Sequence, residues 1–340
     1  MAILCGRLGR DERLAALADE LAETWSPEPL TAQVVAAARA AAFLVLRGAY
    51  ARADRLLAFV EASESGVALP AARARIDQAM SSRALVRGDL GVHLARMDAA
   101  ITHFSAAGDQ RNAMLSRITL GFAQASVARY EAAARELREA LATAERMALP
   151  ALAAYAKHTL GYVVAQLGAH DEAIALESEA VDSFTAHGDA RLAGGSRVYL
   201  GLILAQRGDL AAAEEELDRA LGGLASVPPV RAYALAARAR VRLGRGHPIE
   251  ALADAGEAYA VLRTLGGIEE GEAVVRLAWV EALLAAGRRD EAREVSVEAR
   301  ARLFERAARI SDEEMRDGFL ARVAENARTL ALAEELAPAG

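Results

Sequence analysis

Lysine is all but missing from this 340-residue chain: of its 40 basic residues, every one except Lys157 is arginine, which reads as a GC-rich coding bias rather than arginine chemistry. A single cysteine, Cys5, excludes an internal disulfide and fits a reducing cytoplasm. Prolines number eight, aromatics make up 5% of residues, and the Val/Ile/Thr runs expected of strands are absent, so a β-rich fold is excluded. No stretch of 18 apolar residues occurs, and none therefore predicts a membrane-spanning helix. The opening MAILCGRLGRDER has too short an apolar run for a signal peptide, and the expected location is cytoplasmic. The net charge of −7 argues against a surface built to hold nucleic acid.

What the chain does have is alanine and a beat. Alanine is the strongest helix former and lets helices approach closely. Turn positions recur at Gly48, Gly88, Ala128, Gly168, Gly208, Gly246 and Gly287. Seven residues before each stands Ala41, Ser81, Gly121, Gly161, Gly201, Ala239 or Val280, in steps of 40, 40, 40, 40, 38 and 41. Five residues after each turn comes Ala53, His93, Ala133, Ala173, Ala213, Ala251 or Ala292. A fixed period of this length means stacked copies of one supersecondary unit. The expected fold is all-α, a right-handed solenoid of about seven helix pairs, with irregular junctions at the exceptions His93, Ala128 and Val280.

Leu115, Ile118 and Phe122, then Leu137 and Leu141, follow helical spacing on either side of Ala128-Arg129. They predict a helix A over 111–126 and a helix B over 130–147, with Gly121 as a notch for Ala133 of the facing helix. The loops between units alternate. Phe104 to Asp109 reappears 80 residues later as Phe184 to Asp189, and Leu69-Pro70 as Leu149-Pro150, with Pro228-Pro229 near the next expected place. The Pro type can open a helix. Arg238 and Arg242 fall where helix A of the sixth unit should be apolar, so that unit is looser or its arginine stems snorkel.

The pattern Leu160-Gly161…Gly168…Ala173 and Leu200-Gly201…Gly208-Asp209-Leu210…Ala213 resembles tetratricopeptide repeats (TPR) over residues 32–308. The period of 40 exceeds that family's norm of about 34 and is similar to the long repeats of bacterial transcriptional activators and kinesin light chains. Counting backwards, Gly9 matches the turn position, so residues 1–31 read as a half repeat: a helix B over 11–23 with Leu14, Leu17 and Leu21 half covered. A longer polypeptide, an upstream partner or simple fraying would each account for it. Residues 309–340 read as C-terminal capping helices and a tail. A capping box starts at Ser311, a short helix follows, and a last helix runs from Asn326 to about Leu336. Arg309–Leu332, with Leu265 to Glu272, resembles the C-terminal end of large myxobacterial-type signalling proteins that join a serine/threonine kinase, often an ATPase module, and a TPR array. That resemblance runs through much of residues 85–333, although Ala324 stands where a proline is common. It implies a regulatory, partner-binding role, with kinase or ATPase domains of a longer parent polypeptide as one kind of partner.

No phosphate loop or nucleophile elbow is present, and Gly244-Arg245-Gly246 and Gly266-Gly267 fall at repeat junctions. The six histidines have no metal-ligand spacing, so no enzyme activity, cofactor or metal is expected. What remains is a concave groove lined by the A helices. Its candidate contacts are Arg75, Gln78 and Ser82, then the apolar Leu115, Ile118 and Phe122, then Tyr155, His158, Tyr162 and Gln166, then Gln206, Tyr233 and Arg240. Amphipathic aromatics beside Gln and Arg suit an extended peptide or protein segment. The expected function is a non-enzymatic interaction or regulatory scaffold in bacterial signalling, with no nucleic-acid or membrane partner. The alternative is an intracellular receptor for a small signalling peptide.

Overall fold

The computed structural model describes residues 30–337, together with Ala16 and Glu20. The half repeat expected over 1–31, including Gly9, Leu14, Leu17 and Leu21, lies almost wholly outside the described residues, as does Cys5. Every regular element among the described residues is helical. The first three A/B pairs are α1 (Thr31–Leu46) with α2 (Tyr50–Ser63), α3 (Pro70–Arg87) with α4 (Leu90–Ala106), and α5 (Gln110–Ala125) with α6 (Tyr130–Arg146). The next four are α7 (Pro150–Gln166) with α8 (His170–Ala186), α9 (Ala190–Arg207) with α10 (Leu210–Gly223), α11 (Pro228–Gly244) with α12 (Pro248–Leu265), and α13 (Glu272–Ala285) with α14 (Arg289–Ala307). This is the TPR-like α-solenoid that the 40-residue beat predicts. No helix among the described residues is long and apolar enough to cross a membrane. The chain divides into two compact units, one ending at Leu120 and one starting at Gly121 within α5.

In the first unit, Pro70 is the first residue of α3, where its missing N–H costs nothing. Gly88 ends that helix with φ +77°, and the Asp89 N–H then reaches back to the Ala84 carbonyl at 2.8 Å. Asp89 in turn caps α4, its side chain accepting from the Val92 N–H. The Gly-Asp loop is therefore a stop and a start in two residues. His93, an exception to the alanine series, faces Ser81, the notch residue of the same repeat. Ser81 Oγ lies 2.7 Å from His93 Nδ1 and donates to the His93 carbonyl at 3.0 Å. The junction expected to be irregular is repaired by two departures that match each other. Phe104, fully buried among Ala74, Ala100 and Ala113, anchors the core here.

In the second unit the notch glycines are filled, but not by the alanine the spacing suggested. A Cβ at Gly121 would lie 2.8 Å from Leu137 Cγ, one at Gly201 2.7 Å from Leu217 Cγ, and one at Gly161 2.9 Å from Glu177 Cγ. The knob is the residue 16 positions on, one helical turn beyond the recurring alanine, because side chains lean back toward the N-terminus of their helix. Ala128 takes the turn with φ +60°, a conformation that disfavours a Cβ. Val280 is buried without irregularity, packed with Leu277, Leu283, Leu332 and Leu336.

Arg238 and Arg242 neither loosen the sixth repeat nor snorkel to solvent. Arg238 grips both oxygens of the buried Asp254 at 2.7 and 2.8 Å and reaches Asp218 at 2.6 Å. Arg242 joins Asp254 and Glu214, each at 2.8 Å. The two arginines of α11 thus link α10 to α12, and bidentate pairing offsets the cost of burying Asp254.

Beyond α14 come α15 (Glu313–Asp317), a π turn over Gly318–Arg322 and α16 (Ala324–Glu335). The cap of α15 is Asp312, not Ser311: its carboxylate accepts from the Met315 N–H at 2.8 Å. Asn326 does not open the last helix but lies inside it, its side-chain amide donating to the Phe319 carbonyl at 2.8 Å and pinning the π turn.

Because Gly201 meets both Leu217 and, at 3.2 Å, the Ala213 carbonyl, Gly201→Val should lower the urea unfolding free energy by about 2 kcal/mol through overpacking. Gly222→Ala, at a helical position with open space around it, should raise it by a few tenths of a kcal/mol.

Candidate functional site

The sequence-predicted groove residues fall into two groups, one in each unit. In the first unit, Arg75 donates to Gln78 Oε1 at 2.9 Å, and Gln78 Nε2 donates to Ser116 Oγ at 3.3 Å. Ser82 Oγ donates to the Gln78 carbonyl at 3.0 Å. The Arg75 guanidinium lies 4.7 Å from the centre of the Phe104 ring, and its half-buried position lowers its pKa below the ordinary arginine value, chiefly by desolvation. Arg75 and Gln78 thus tie α3 to its neighbours, while Ser82 bonds within its own helix. Ile118 is fully buried and belongs to the core, while Leu115 is half-buried.

The second unit holds an aromatic ladder that runs between its A helices. Phe122 of α5 lies 6.0 Å from Tyr162 of α7, and Tyr162 stacks on Tyr199 of α9 at 4.8 Å and 23°. Tyr199 also stacks on His158 at 4.7 Å and meets Tyr233 of α11 edge-on at 6.4 Å. Tyr155 lies against His158 at 6.3 Å. Tyr155 and Tyr162 are half-buried, Tyr199 and Tyr233 buried. Burial is the main reason that the Tyr162 and Tyr233 phenols are pushed well above their ordinary pKa. Gln166 is half-buried, Gln206 exposed, and Arg240 spans to Glu281 of α13 at 2.8 Å. The structure thus brings Tyr155, His158, Tyr162 and Tyr233 into one ladder. The member that sequence reasoning missed is Tyr199: it stands 37 residues from Tyr162 and so off the 40-residue register.

His158 is a buried member of this ladder. Its Nδ1 is 3.1 Å from Glu177 Oε2 on α8 and 2.9 Å from Ser196 Oγ on α9. Glu177 and Ser196 are fully buried. Both polar partners meet the same ring nitrogen, so the three groups lack the two-sided relay in which a histidine joins a hydroxyl to a carboxylate through opposite nitrogens. Burial pushes His158 down to about 4, which holds it neutral at pH 7, and pushes Glu177 well above the usual carboxylate range, favouring its neutral form. The repeat register carries a signal for this hub. Position 177 is Leu at 137 and 217, and position 158 is Ile at 118 and Val at 198.

The loop from α12 to α13 folds over the same face. Glu269 pairs with Arg191 at the start of α9 at 3.1 Å. Gly271 has φ +79° and lies so tightly on the Tyr233 ring that a Cβ there would overlap it; both facts exclude other residues. Glu270 Oε1 is out of solvent without a hydrogen-bond partner. Desolvation pushes the Glu270 carboxyl up to about 6, opposed by His158 and Arg191.

No protein-family model matches this chain, and no curated protein matches it. Solved structures do. The chain is similar to a Rap protein complexed with competence and sporulation factor, at 10% identity and a TM-score of 0.67, covering 99% of this chain and 97% of that one. It is similar to the Rap conjugation gene regulator of plasmid pLS20 in complex with the Phr* peptide, at 13% identity and a TM-score of 0.55, covering 78% and 74%. It is also similar to NprR in complex with its cognate peptide NprX, at 12% identity and a TM-score of 0.51, covering 89% and 83%. At these identities the likeness is one of fold: a TPR-like helical repeat.

Two groups in the hub titrate in opposite senses. The unfolded chain binds the His158 proton more tightly, so this residue's contribution falls as pH drops from 6.5 toward 4. The folded chain binds the Glu270 proton more tightly, so its contribution rises as pH drops from about 6 to 4.5. His158→Gln should therefore shrink the stability lost between pH 7 and pH 5 by on the order of 2 kcal/mol, while Glu270→Gln should enlarge it. Urea titrations at both pH values check the two signs.

Proposed function

We propose that this protein is a non-enzymatic binding array of a regulatory kind in bacterial signalling. It takes an extended peptide or protein segment against the inner A-helix face of its second unit. The observation that carries this reading is the ladder of half-buried Tyr155 and Tyr162 over buried Tyr199 and Tyr233, flanked by Gln166, Gln206 and Arg240. Stacked rings present a rigid apolar floor that loses little side-chain entropy on binding, and amides at its edge can pair with the backbone of an extended chain. Support comes from the fold shared with Rap and NprR proteins, whose structures hold the Phr* and NprX peptides. That likeness favours a peptide-receptor form of the reading, in which binding changes the packing of the repeats. The convergence of Ser196 and Glu177 on one nitrogen of His158 supports a structural role for the histidine rather than a catalytic one. The resemblance of the C-terminal segment to kinase-linked arrays makes a kinase or ATPase domain one candidate source of the bound segment. A soluble protein of reducing compartments is the setting that one cysteine and a charge of −7 suit.

The test is selection of binders from a random octapeptide pool on the full chain, followed by fluorescence anisotropy with the enriched peptide. Tyr155→Ala and Gln166→Ala should each raise Kd about tenfold, equivalent to about 1.4 kcal/mol, with circular dichroism unchanged. An enriched peptide that binds both variants as tightly as the parent, or a selection that enriches nothing, would overturn the reading.

A further inference from the structure

After α14 the chain folds back on its own unit. Gly318 lies so close to the repeat-3 turn that a Cβ would overlap the Val127 carbonyl. Leu332 of α16, and Leu336 just after it, pack with Leu277, Val280 and Leu283 of α13. Where α13, α14 and α16 meet there is a cleft of about 230 Å³, its open mouth included. Glu272 and Arg276 of α13, Arg302, Leu303 and Arg306 of α14, and Thr329 of α16 line it. Three guanidiniums thus share a cleft with one carboxylate. Two of them take up that carboxylate. Glu272 Oε1 accepts from Arg276 Nε at 3.2 Å and from Arg302 Nε at 3.0 Å, and its Oε2 accepts from Arg302 Nη2 at 3.4 Å. Arg306 is held differently. Its guanidinium lies 5.5 Å from the centre of the Phe319 ring, and its Nε is out of solvent without a hydrogen-bond partner. Burial is the chief reason that its pKa falls below the ordinary arginine value; Glu272 opposes the fall, and Arg302 and Arg276 add to it. The neighbouring acids do little to balance this charge. Glu305 is engaged by Arg302 at 2.9 Å and by Arg309 at 2.8 Å, and burial pushes the Glu325 carboxyl up, which favours its neutral form. Thr329 donates its hydroxyl to the Glu325 carbonyl at 2.7 Å.

We propose that this cleft is a binding site for a small monatomic anion of the chloride kind, held by the guanidiniums of Arg276, Arg302 and Arg306. Three physical points carry it. The lining has an excess of positive charge, and a buried cation without a counter-charge is costly. One of its donors, Arg306 Nε, has neither water nor a protein acceptor, and an unmade hydrogen bond to a charged group is costly in its own right. The interior has room for about one water-sized guest, too little for a phosphate group. A water molecule there would accept two N–H groups and leave the charge as it is. A chloride ion of similar size accepts from every side and offsets it. The site lies on α13 and α14, uses none of the residues assigned to peptide binding, and stands whether or not that reading does.

The test is urea unfolding of the full chain at constant ionic strength while sodium chloride replaces sodium gluconate, whose anion is too large for the cleft. Chloride at ten times its dissociation constant should lower the unfolding equilibrium constant about tenfold. Arg306→Met, which keeps an apolar stem beside Phe319 and removes the unpartnered donor, should abolish that gain. A stability that does not respond to chloride, or an equal gain in parent and variant, would overturn the site. Broadening of the chloride NMR line reports binding directly: the parent chain should broaden it and Arg306→Met should not, and a line left sharp by the parent contradicts the proposal. Should Arg306→Met fail to fold, Arg276→Gln supplies the same readout, with chloride binding about tenfold weaker expected and unchanged binding counting against the site. Phosphate is the control for size. If phosphate stabilises the parent more than chloride does, and this gain too is lost in Arg306→Met, the cleft is an oxyanion site and the monatomic assignment is wrong.

Discussion

Everything in the second unit depends on how closely its A and B helices approach at three glycines. At Gly121, Gly161 and Gly201 the facing side chain occupies the volume where a Cβ would be. Packing at that distance sets the angle within each pair, and repetition of the pair sets the spacing of successive A helices. Rings on neighbouring A helices can then stack at under 5 Å, as Tyr162 and Tyr199 do. The aromatic floor is thus a consequence of missing side chains elsewhere. In the first unit the notch residue Ser81 instead forms a hydrogen-bonded pair with His93 of the facing helix.

The period, the helix limits and the two kinds of loop were legible because each rests on chemistry local to a few residues. Pro70, Pro150 and Pro228 open helices, and Gly-Asp steps end one helix and cap the next. The knob was read one helical turn short, at Ala133 instead of Leu137, since a period says which positions recur and not which of them meet. The arginines of α11 looked misplaced because their acids lie on the two adjacent helices, outside the window in which hydrophobic spacing is judged. Glu177 was visible in principle as the odd member of a Leu, Glu, Leu series. The return of Gly318 to Val127 has no such trace: it is made once and leaves nothing periodic to count.

The second unit is accordingly less open around its aromatic ladder than a repeat pattern alone suggests. The 266–271 loop reaches back to Arg191 and Tyr233, and the segment after α14 reaches back to Val127. Of the residues proposed to touch a ligand, Tyr233 and His158 are buried, Arg240 already has Glu281, and Gln206 is free to face solvent.

One consequence of the His158, Glu177 and Ser196 hub concerns identity among near-copies. Seven pairs built on one pattern invite mispairing: a helix B could dock on the wrong helix A, within a chain or between two chains in a domain swap. An uncharged leucine knob fits the notch of any repeat with a glycine there. Glu177 does not, because its Oε2 meets the His158 imidazole of α7, which in turn meets the Ser196 hydroxyl of α9. The polar hub therefore acts as an address, making the fourth repeat non-interchangeable and fixing the count from which the others take their place.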